Sequence, residues 1–254
     1  MESRKTDSST SLPIILLTGA AGMIGSILRR QLAGRVRFRC FDLRPLPEEP
    51  DAIQGDIGDS LAFETAMEGV DAIIHLAAAH NSPGDGLNKL LTVDSKAYFT
   101  LYDGALRHHV RRVVMTSTIH VVEPMTDRLV PLTAQTPYKP DHVISAMKCF
   151  GEILGQFYAN RHQLSVVIVR VGAIHPDDSA HLAAPSQHLL ESFVSERDLA
   201  ELFFRAATMP NIHYEIFYGV SDNRQRLYDL SRAREVLGFI PQDRIESLMA
   251  KKNS

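Results

Sequence analysis

Three glycines stand at even spacing near the start of the chain, in Gly19-Ala-Ala-Gly22-Met-Ile-Gly25, directly after the apolar run Ile14-Ile-Leu-Leu17. A chain that leaves a buried strand and enters a helix needs a residue without Cβ at the turn. An anion approaching such a turn meets backbone amides and the positive end of the helix dipole. The pattern therefore suits a diphosphate, with backbone from Gly19, Ala21, Gly22, Met23 and Ile24, while Gly25 lets the helix pack closely on the strand. Asp42 ends the next apolar segment, about 20 residues on, where a carboxylate accepts both hydroxyls of an adenosine ribose. Leu43 continues that edge, and Asp56-Ile57 stands where it can cover an adenine ring. Leu76-Ala-Ala-Ala79 ends a further strand with small side chains beside the ribose and phosphates, with Leu76, Ala77 and Ala78 as contacts. The ligand expected is NAD. NADP is less favoured because Asp42 repels a 2′-phosphate, although Arg44 leaves it possible.

The elements that hold these residues alternate. Strands are expected at 14–17, 36–42, 52–54, 71–76, 113–115, 166–169 and 212–218. Helices are expected at 23–32, 60–69, 88–109, 145–160, 196–207 and 227–237. Strand–helix alternation with right-handed crossovers gives an α/β, doubly wound parallel sheet of the NAD(P)-binding Rossmann type. Residues 1–12 read as a polar tail, 13–245 as one domain with a small C-terminal substrate-binding lobe, and 246–254 as a second tail. The stretch 173–194, rich in Ala, His, Ser and Pro and without a clear period, is expected to cover the substrate.

Composition bounds the rest. The chain has 254 residues, 44% hydrophobic and 22% charged, which excludes a disordered or fibrous protein. A net charge of −3 favours neither nucleic acid nor an anionic membrane as the main partner. Two cysteines, Cys40 and Cys149, make no disulfide framework, and a reducing cytoplasm is the expected setting. No run reaches the roughly 18 apolar residues of a membrane span, and the N-terminus has no apolar core of a secretory signal.

The chain resembles the extended short-chain dehydrogenase/reductase family, and within it most closely the uronate dehydrogenases. The likeness rests on Thr18–Gly25, Asp42, Gly55-Asp56, His75-Leu-Ala-Ala78, Met115-Thr-Ser-Thr118, Lys148 with Gly151-Glu152, Ser195-Glu-Arg-Asp198 and Leu237-Gly-Phe-Ile-Pro241. The resemblance implies NAD-dependent oxidation of a sugar acid at C1, with a hydroxyl, a tyrosine and a lysine as the catalytic set. It puts Thr118 at the hydroxyl position and Lys148 at the lysine position. It also implies a homodimer paired through the helices at 88–109 and 145–160.

Three departures stand against it. The implied tyrosine position holds Ile144, which cannot carry a proton. The implied asparagine position after the fourth strand holds Asp94, and no arginine or lysine lies between Arg170 and Arg197 to hold a substrate carboxylate. His142, Tyr138, His120 or an ordered water are the alternatives for the missing acid–base group. His142 also reads as a helix cap, Tyr138 as a packed loop aromatic, and His120 as a residue that accompanies the tyrosine in the proteins resembled. His175, His181 and His188 lack the acidic or thiol neighbours of a metal site, and Arg107–Arg112 reads as a basic helix end. The expectation is an atypical NAD-dependent oxidoreductase on a small, sugar-like hydroxylated substrate. Its rivals are a non-redox isomerase, lyase or cyclase on the same scaffold and a catalytically inactive NAD-binding sensor.

Overall fold

The computed structural model of the protein describes residues 12–78, 90–122, 131–175, 185–225 and 227–252. Residues 1–11 of the N-terminal tail expected over 1–12, and the middle of the expected insertion, 176–184, lie outside these residues. So do positions 79–89, which include Ala79 and the first residues of the helix expected from 88.

The apolar run becomes β1 (Ile14–Thr18), and the helix α1 (Met23–Gln31) follows the glycine turn. Next come β2 (Arg37–Asp42), β3 (Ala52–Gln54), α2 (Ser60–Thr65) and β4 (Ala72–His75). One wide turn over Leu90–Asp94 leads into α3 (Ser95–Arg107), then β5 (Arg112–Thr118) and a single tight turn at Ile119–Val121. The long helix α4 (Val143–His162) precedes β6 (Ser165–Val171) and β7 (Ala173–Ile174). The chain closes with α5 (Gln187–Ser192), β8 (Phe193–Val194), α6 (Glu196–Thr208), β9 (Tyr214–Gly219), α7 (Ser231–Leu237) and α8 (Ile245–Lys252).

Seven parallel strands form one sheet in the order β3-β2-β1-β4-β5-β6-β9. Alternation within the strands builds a core on each face. Ile15 and Leu17 point to the side covered by α1 and α6, with Leu28, Leu202 and Phe203. Leu16 and Ile73 point to the side of α2, α3 and α4, with Phe63, Tyr98, Leu101 and Tyr158. The expected doubly wound architecture is the one observed. Because the strands run parallel, the segments after β2, β1, β4 and β5 all emerge at one edge, beside the point where strand order reverses.

Four local expectations are corrected. The helix at 60–69 stops at Thr65. The helix expected from 88 begins at Ser95, since a wide turn precedes it. The helix expected from 227 begins at Ser231, because Leu132 draws the preceding residues into a bridge through hydrogen bonds to Leu227 and Asp229. Residues 246–252 are not a trailing tail but part of α8, anchored by Ile245 against Leu189 and Phe193. The described part of the insertion is ordered around a two-stranded pair, β7 with β8. The basic stretch 107–112 is engaged internally: Arg107 pairs with Glu64, Arg111 with Asp71, and Arg112 donates to the carbonyls of Ala206 and Met209.

A buried polar knot ties the sheet to α4. The Glu152 carboxylate receives Arg170 Nη2 at 2.8 Å and the Ser117 hydroxyl at 2.5 Å, and both charged side chains are at most 1% exposed. Arg170 also donates to Tyr218 Oη, which passes a hydrogen bond to the Thr133 carbonyl. Breaking one side of such a pair leaves a buried charge unmatched, at about 3–5 kcal/mol. Arg170→Met is therefore expected to lower unfolding free energy by that amount in urea denaturation, and a loss within about 0.5 kcal/mol, the size of an ordinary surface change, would contradict the role assigned to the knot.

Candidate active site

Gly19 takes a left-handed conformation, φ +70°, and a Cβ there would lie 2.8 Å from the Ala77 nitrogen. A Cβ on Gly25 would lie 2.5 Å from the Gly19 carbonyl oxygen. The first turn therefore lies on the end of β4 and under α1 as bare backbone. Gly22 is the N-cap of α1 and offers no side chain to the helix end. The first-turn amides of Met23 and Ile24 have no partner within the helix by its geometry, and they face outward as donors.

A cleft of about 570 Å³ opens over this turn, lined by Gly19, Gly22, Phe41, Asp42, Leu43, Arg44, Gly55, Ile57, Leu76, Ala77 and Ala78. Nine of the residues singled out from sequence are thus brought together here. Phe41 and Gly55 are additions to the expected contacts; a Cβ on Gly55 would strike the Phe41 ring at 2.6 Å, so the two residues make one wall. Ala21, Met23, Ile24 and Gly25 belong to the turn and the head of α1 and are not among the residues that line the cleft. Asp56 is placed otherwise than expected: its carboxylate turns back to the Gly58 amide at 2.8 Å, leaving Ile57 at the wall.

The Asp42 carboxylate is held in position by two amides, Ala21 N at 2.9 Å on Oδ2 and Arg44 N at 2.9 Å on Oδ1. Each carboxylate oxygen has a second lone pair left for a hydroxyl donor. The Arg44 side chain lies 3.6 Å from the same carboxylate and is otherwise exposed. An NAD adenosine, its diphosphate and its ribose fit this set of groups: bare backbone where phosphate approaches, an acceptor where hydroxyls arrive, and an apolar wall for a ring.

Farther along the same edge, Thr118 ends β5. Its hydroxyl accepts the His120 amide at 3.3 Å, which leaves the hydroxyl proton available to donate. Lys148 lies in α4, buried, with its ammonium 6.0 Å from the centre of the Tyr98 ring. Burial pushes its pKa down, while Asp94 and Glu152 push it back up. Asp94, at the position where resemblance implied asparagine, is itself buried. Ile144, at the position where resemblance implied a tyrosine, stands one helical turn before Lys148 and on the same face, partly buried.

The proposed substitutes for that tyrosine have definite occupations. His142 caps α4: its Nδ1 accepts the Ser145 amide at 3.0 Å, and Ser145 Oγ accepts the His142 amide in return. Tyr138 donates its hydroxyl to Glu152 Oε2 at 3.1 Å and lies beneath the Arg170 guanidinium. Burial first, and the Glu152 charge next, raise its pKa. His120 instead bonds through Nδ1 to Asp141 Oδ2 at 2.9 Å, with its ring 5.5 Å from that of His142 and 5.6 Å from that of His188. Asp141 drew no attention in sequence because it precedes a helix among other polar residues, where a capping role accounts for it. His181 lies outside the described residues. Among the described residues, no group of three His, Cys, Asp or Glu side chains is arranged to hold a metal ion, and no helix is long and apolar enough to cross a membrane.

Residues 15–175 match the NAD dependent epimerase/dehydratase family. The chain is 32% identical over 251 residues to a uronate dehydrogenase of Pseudomonas putida, covering 96% of this chain and 89% of the relative. It is 30% identical over 253 residues to an NAD-dependent glucose-6-phosphate dehydrogenase of Haloferax volcanii, covering 90% and 93%. Its fold is similar to the crystal structure of a uronate dehydrogenase from Agrobacterium tumefaciens, a tyrosine-to-alanine mutant complexed with NAD, with a TM-score of 0.82 at 27% identity over 96% of this chain and 89% of that one.

His75, at the end of β4, is fully buried beneath this site. Ala77 N donates to Thr18 Oγ1, and the Thr18 hydroxyl and His75 Nδ1 share a hydrogen bond at 2.9 Å. Desolvation, and then the nearby Lys148 charge, push the imidazole pKa down to about 3. The native state thus holds His75 neutral, whereas an unfolded chain protonates it near pH 6.5. Stability contributed by the neutral ring is present above pH 6.5 and declines as pH falls towards 3. Between pH 7 and pH 5 the wild type should lose about 2 kcal/mol on this account. His75→Phe, which keeps the ring stacked on Phe63, should show a correspondingly flatter dependence in urea unfolding. Equal slopes in the two proteins would remove His75 from the explanation.

Proposed function

This chain belongs to the NAD dependent epimerase/dehydratase family, and on that premise we propose that it is an NAD-dependent dehydrogenase acting on one hydroxyl of a small sugar-type substrate. The observation that carries the reading is the cleft floored by Gly19 and Gly22 and edged by Asp42, which shares its strand-end edge with Thr118 and the buried Lys148. NAD, when bound, supplies the hydride acceptor. The chain's own groups divide the remaining work. The amides at the head of α1 and the dipole behind them favour the diphosphate. Asp42 receives the adenosine ribose and disfavours a 2′-phosphate. Lys148 is positioned to donate to the second ribose, and Thr118 to orient the substrate oxygen through its hydroxyl proton.

The sugar-type substrate rests on the relatives, whose names specify a uronate and glucose 6-phosphate as their substrates. These compounds share a hydroxylated ring and differ at the far end. Arg170 is engaged by Glu152, and no lysine or arginine follows it before Arg197. That absence favours a neutral aldose over a uronate here. A second reading, NAD binding without redox turnover, is favoured by Ile144, since an isoleucine supplies no proton carrier. A homodimer is part of the proposal as well: Ile153 and Phe157 lie on one face of α4, and Phe99 lies on α3, all half exposed. A cytoplasmic setting rests on Cys40 and Cys149, which are both free and buried.

Calorimetry should give NAD binding at least about tenfold tighter than NADP binding. Absorbance of reduced cofactor should then rise with one member of a panel of neutral aldoses, aldose 6-phosphates and uronates. Thr118→Ala should lower that rate by about tenfold to a hundredfold, the scale of one lost hydrogen bond to a reacting oxygen. Bound NAD with no reduction on the whole panel would favour the second reading. Analytical ultracentrifugation should find a dimer that Phe157→Arg converts to monomer; a wild-type monomer would refute the pairing.

A further inference from the structure

We propose that Arg29 and Asp42 clamp the peptide unit between Ala20 and Ala21 from opposite sides, and that this clamp holds the glycine turn in the shape that receives NAD. The inference rests on the cleft being the NAD site. It adds Arg29, which lines no part of that cleft, as a positioning residue, and it gives Asp42 a second duty.

The four residues of the turn, Gly19-Ala-Ala-Gly22, carry no polar side chain, so the turn has no means of locking itself. A glycine stands on either side of the two alanines, and little in the local sequence opposes rotation of the peptide unit between them. Backbone bonds fasten the ends of the turn. Gly19 N donates to the Phe41 carbonyl at 2.9 Å, and Gly22 N donates to the Gly19 carbonyl at 3.0 Å.

The middle is fastened by side chains. Arg29 Nε, on α1, donates to the Ala20 carbonyl at 3.1 Å, and Asp42 Oδ2, at the end of β2, accepts Ala21 N at 2.9 Å. That carbonyl and that amide are the two ends of one peptide plane, and in a trans unit they point in opposite directions. A charged donor on one side and a charged acceptor on the other fix its orientation, and bonds to ionised groups are the stronger kind.

Both clamp residues are themselves held. Arg29 Nη1 pairs with Glu49 at 2.6 Å and with Glu48 at 3.1 Å, in the loop after β2. Asp42 accepts Arg44 N through Oδ1, and its carbonyl accepts Gly55 N at 2.9 Å, just beyond β3. The clamp therefore joins the turn to α1 and to the strand ends that wall the cleft. The glycine spacing pointed to Ala21 N as a phosphate donor; the structure commits it to Asp42 instead. The amides of Met23 and Ile24 then follow a turn whose middle is fixed. A turn released from the clamp populates other orientations of that unit, and apparent affinity falls by the fraction that remains competent. The loss reaches parts of the ligand that Asp42 does not touch.

The test is calorimetry on the full chain with NAD, ADP and 2′,3′-dideoxy-ADP, which keeps the diphosphate and lacks both ribose hydroxyls. Arg29→Met keeps the apolar stem and removes the donor. It should bind NAD about tenfold more weakly than wild type, by the same ratio at low and at high salt. Asp42→Ala should weaken ADP by about a hundredfold but the dideoxy compound by about tenfold, since the latter loses only the clamp. In the ligand-free protein, amide exchange followed by NMR should quicken at Ala21 by at least about tenfold in Arg29→Met, with the buried Ile73 of β4 unchanged. Equal quickening at both amides would mean general destabilisation and overturn the clamp. So would NAD affinity within twofold of wild type in Arg29→Met, a loss that disappears at high salt, or dideoxy-ADP binding unchanged in Asp42→Ala. Each of these leaves the cofactor site in place, whereas wild-type protein that binds neither NAD nor ADP takes both down.

Discussion

Everything at this site depends on how closely one backbone segment lies against its neighbours. Gly19 presses on the end of β4 and Gly25 on the turn itself, each at a separation that excludes a single methyl group. That contact sets α1 directly behind the turn, so amides, not side chains, form the floor. Strand order reverses between β1 and β4, with β2 and β3 on one side and β5, β6 and β9 on the other. The flanking connections leave to opposite faces, and the cleft is the gap they leave over the bare backbone.

Charge beneath and beside this floor is arranged in a consistent way. Thr18 links the Ala77 amide to His75, and burial, with the nearby Lys148 charge, keeps the imidazole under the cleft neutral. A second positive charge there would work against Lys148. Asp94 and Glu152 act in the opposite sense, supporting the protonated lysine against its own burial. Glu152 also anchors Arg170, Ser117 and Tyr138, so one buried carboxylate joins β5, β6, α4 and the loop before α4. The positions of Thr118 and Lys148 relative to each other follow from that junction, since one ends β5 and the other lies on α4.

An aliphatic side chain one turn before Lys148 supplies no proton carrier, and the polar residues nearest to it in sequence have structural partners. His142 and Tyr138 are the nearer in sequence, yet each completes a structural element, the first a helix cap and the second the buried knot. His120 is the farther in sequence, 24 residues before Ile144, and its Nδ1 and that of His142 both lie against the Asp141 carboxylate.

The alternation of apolar runs with amphipathic stretches, the glycine spacing and the acid at the end of β2 carried the sheet, the turn and nine cleft residues without any coordinates. These are local signals: the period of a strand or helix and the steric demand of a tight turn are written in neighbouring residues. That an isoleucine, not a hydroxyl-bearing residue, stands one helical turn before Lys148 was legible too, because it depends only on a four-residue spacing. Tertiary structure alone decided the rest. Whether a polar side chain caps a helix, locks a core or pairs with a neighbour depends on partners distant in sequence, as Tyr138 on Glu152 and Asp141 on His120 illustrate. The helix α8 escaped for a related reason: the packing of Ile245 on Leu189 and Phe193 joins segments about 50 residues apart, and a contact of that range leaves no periodic trace in the chain.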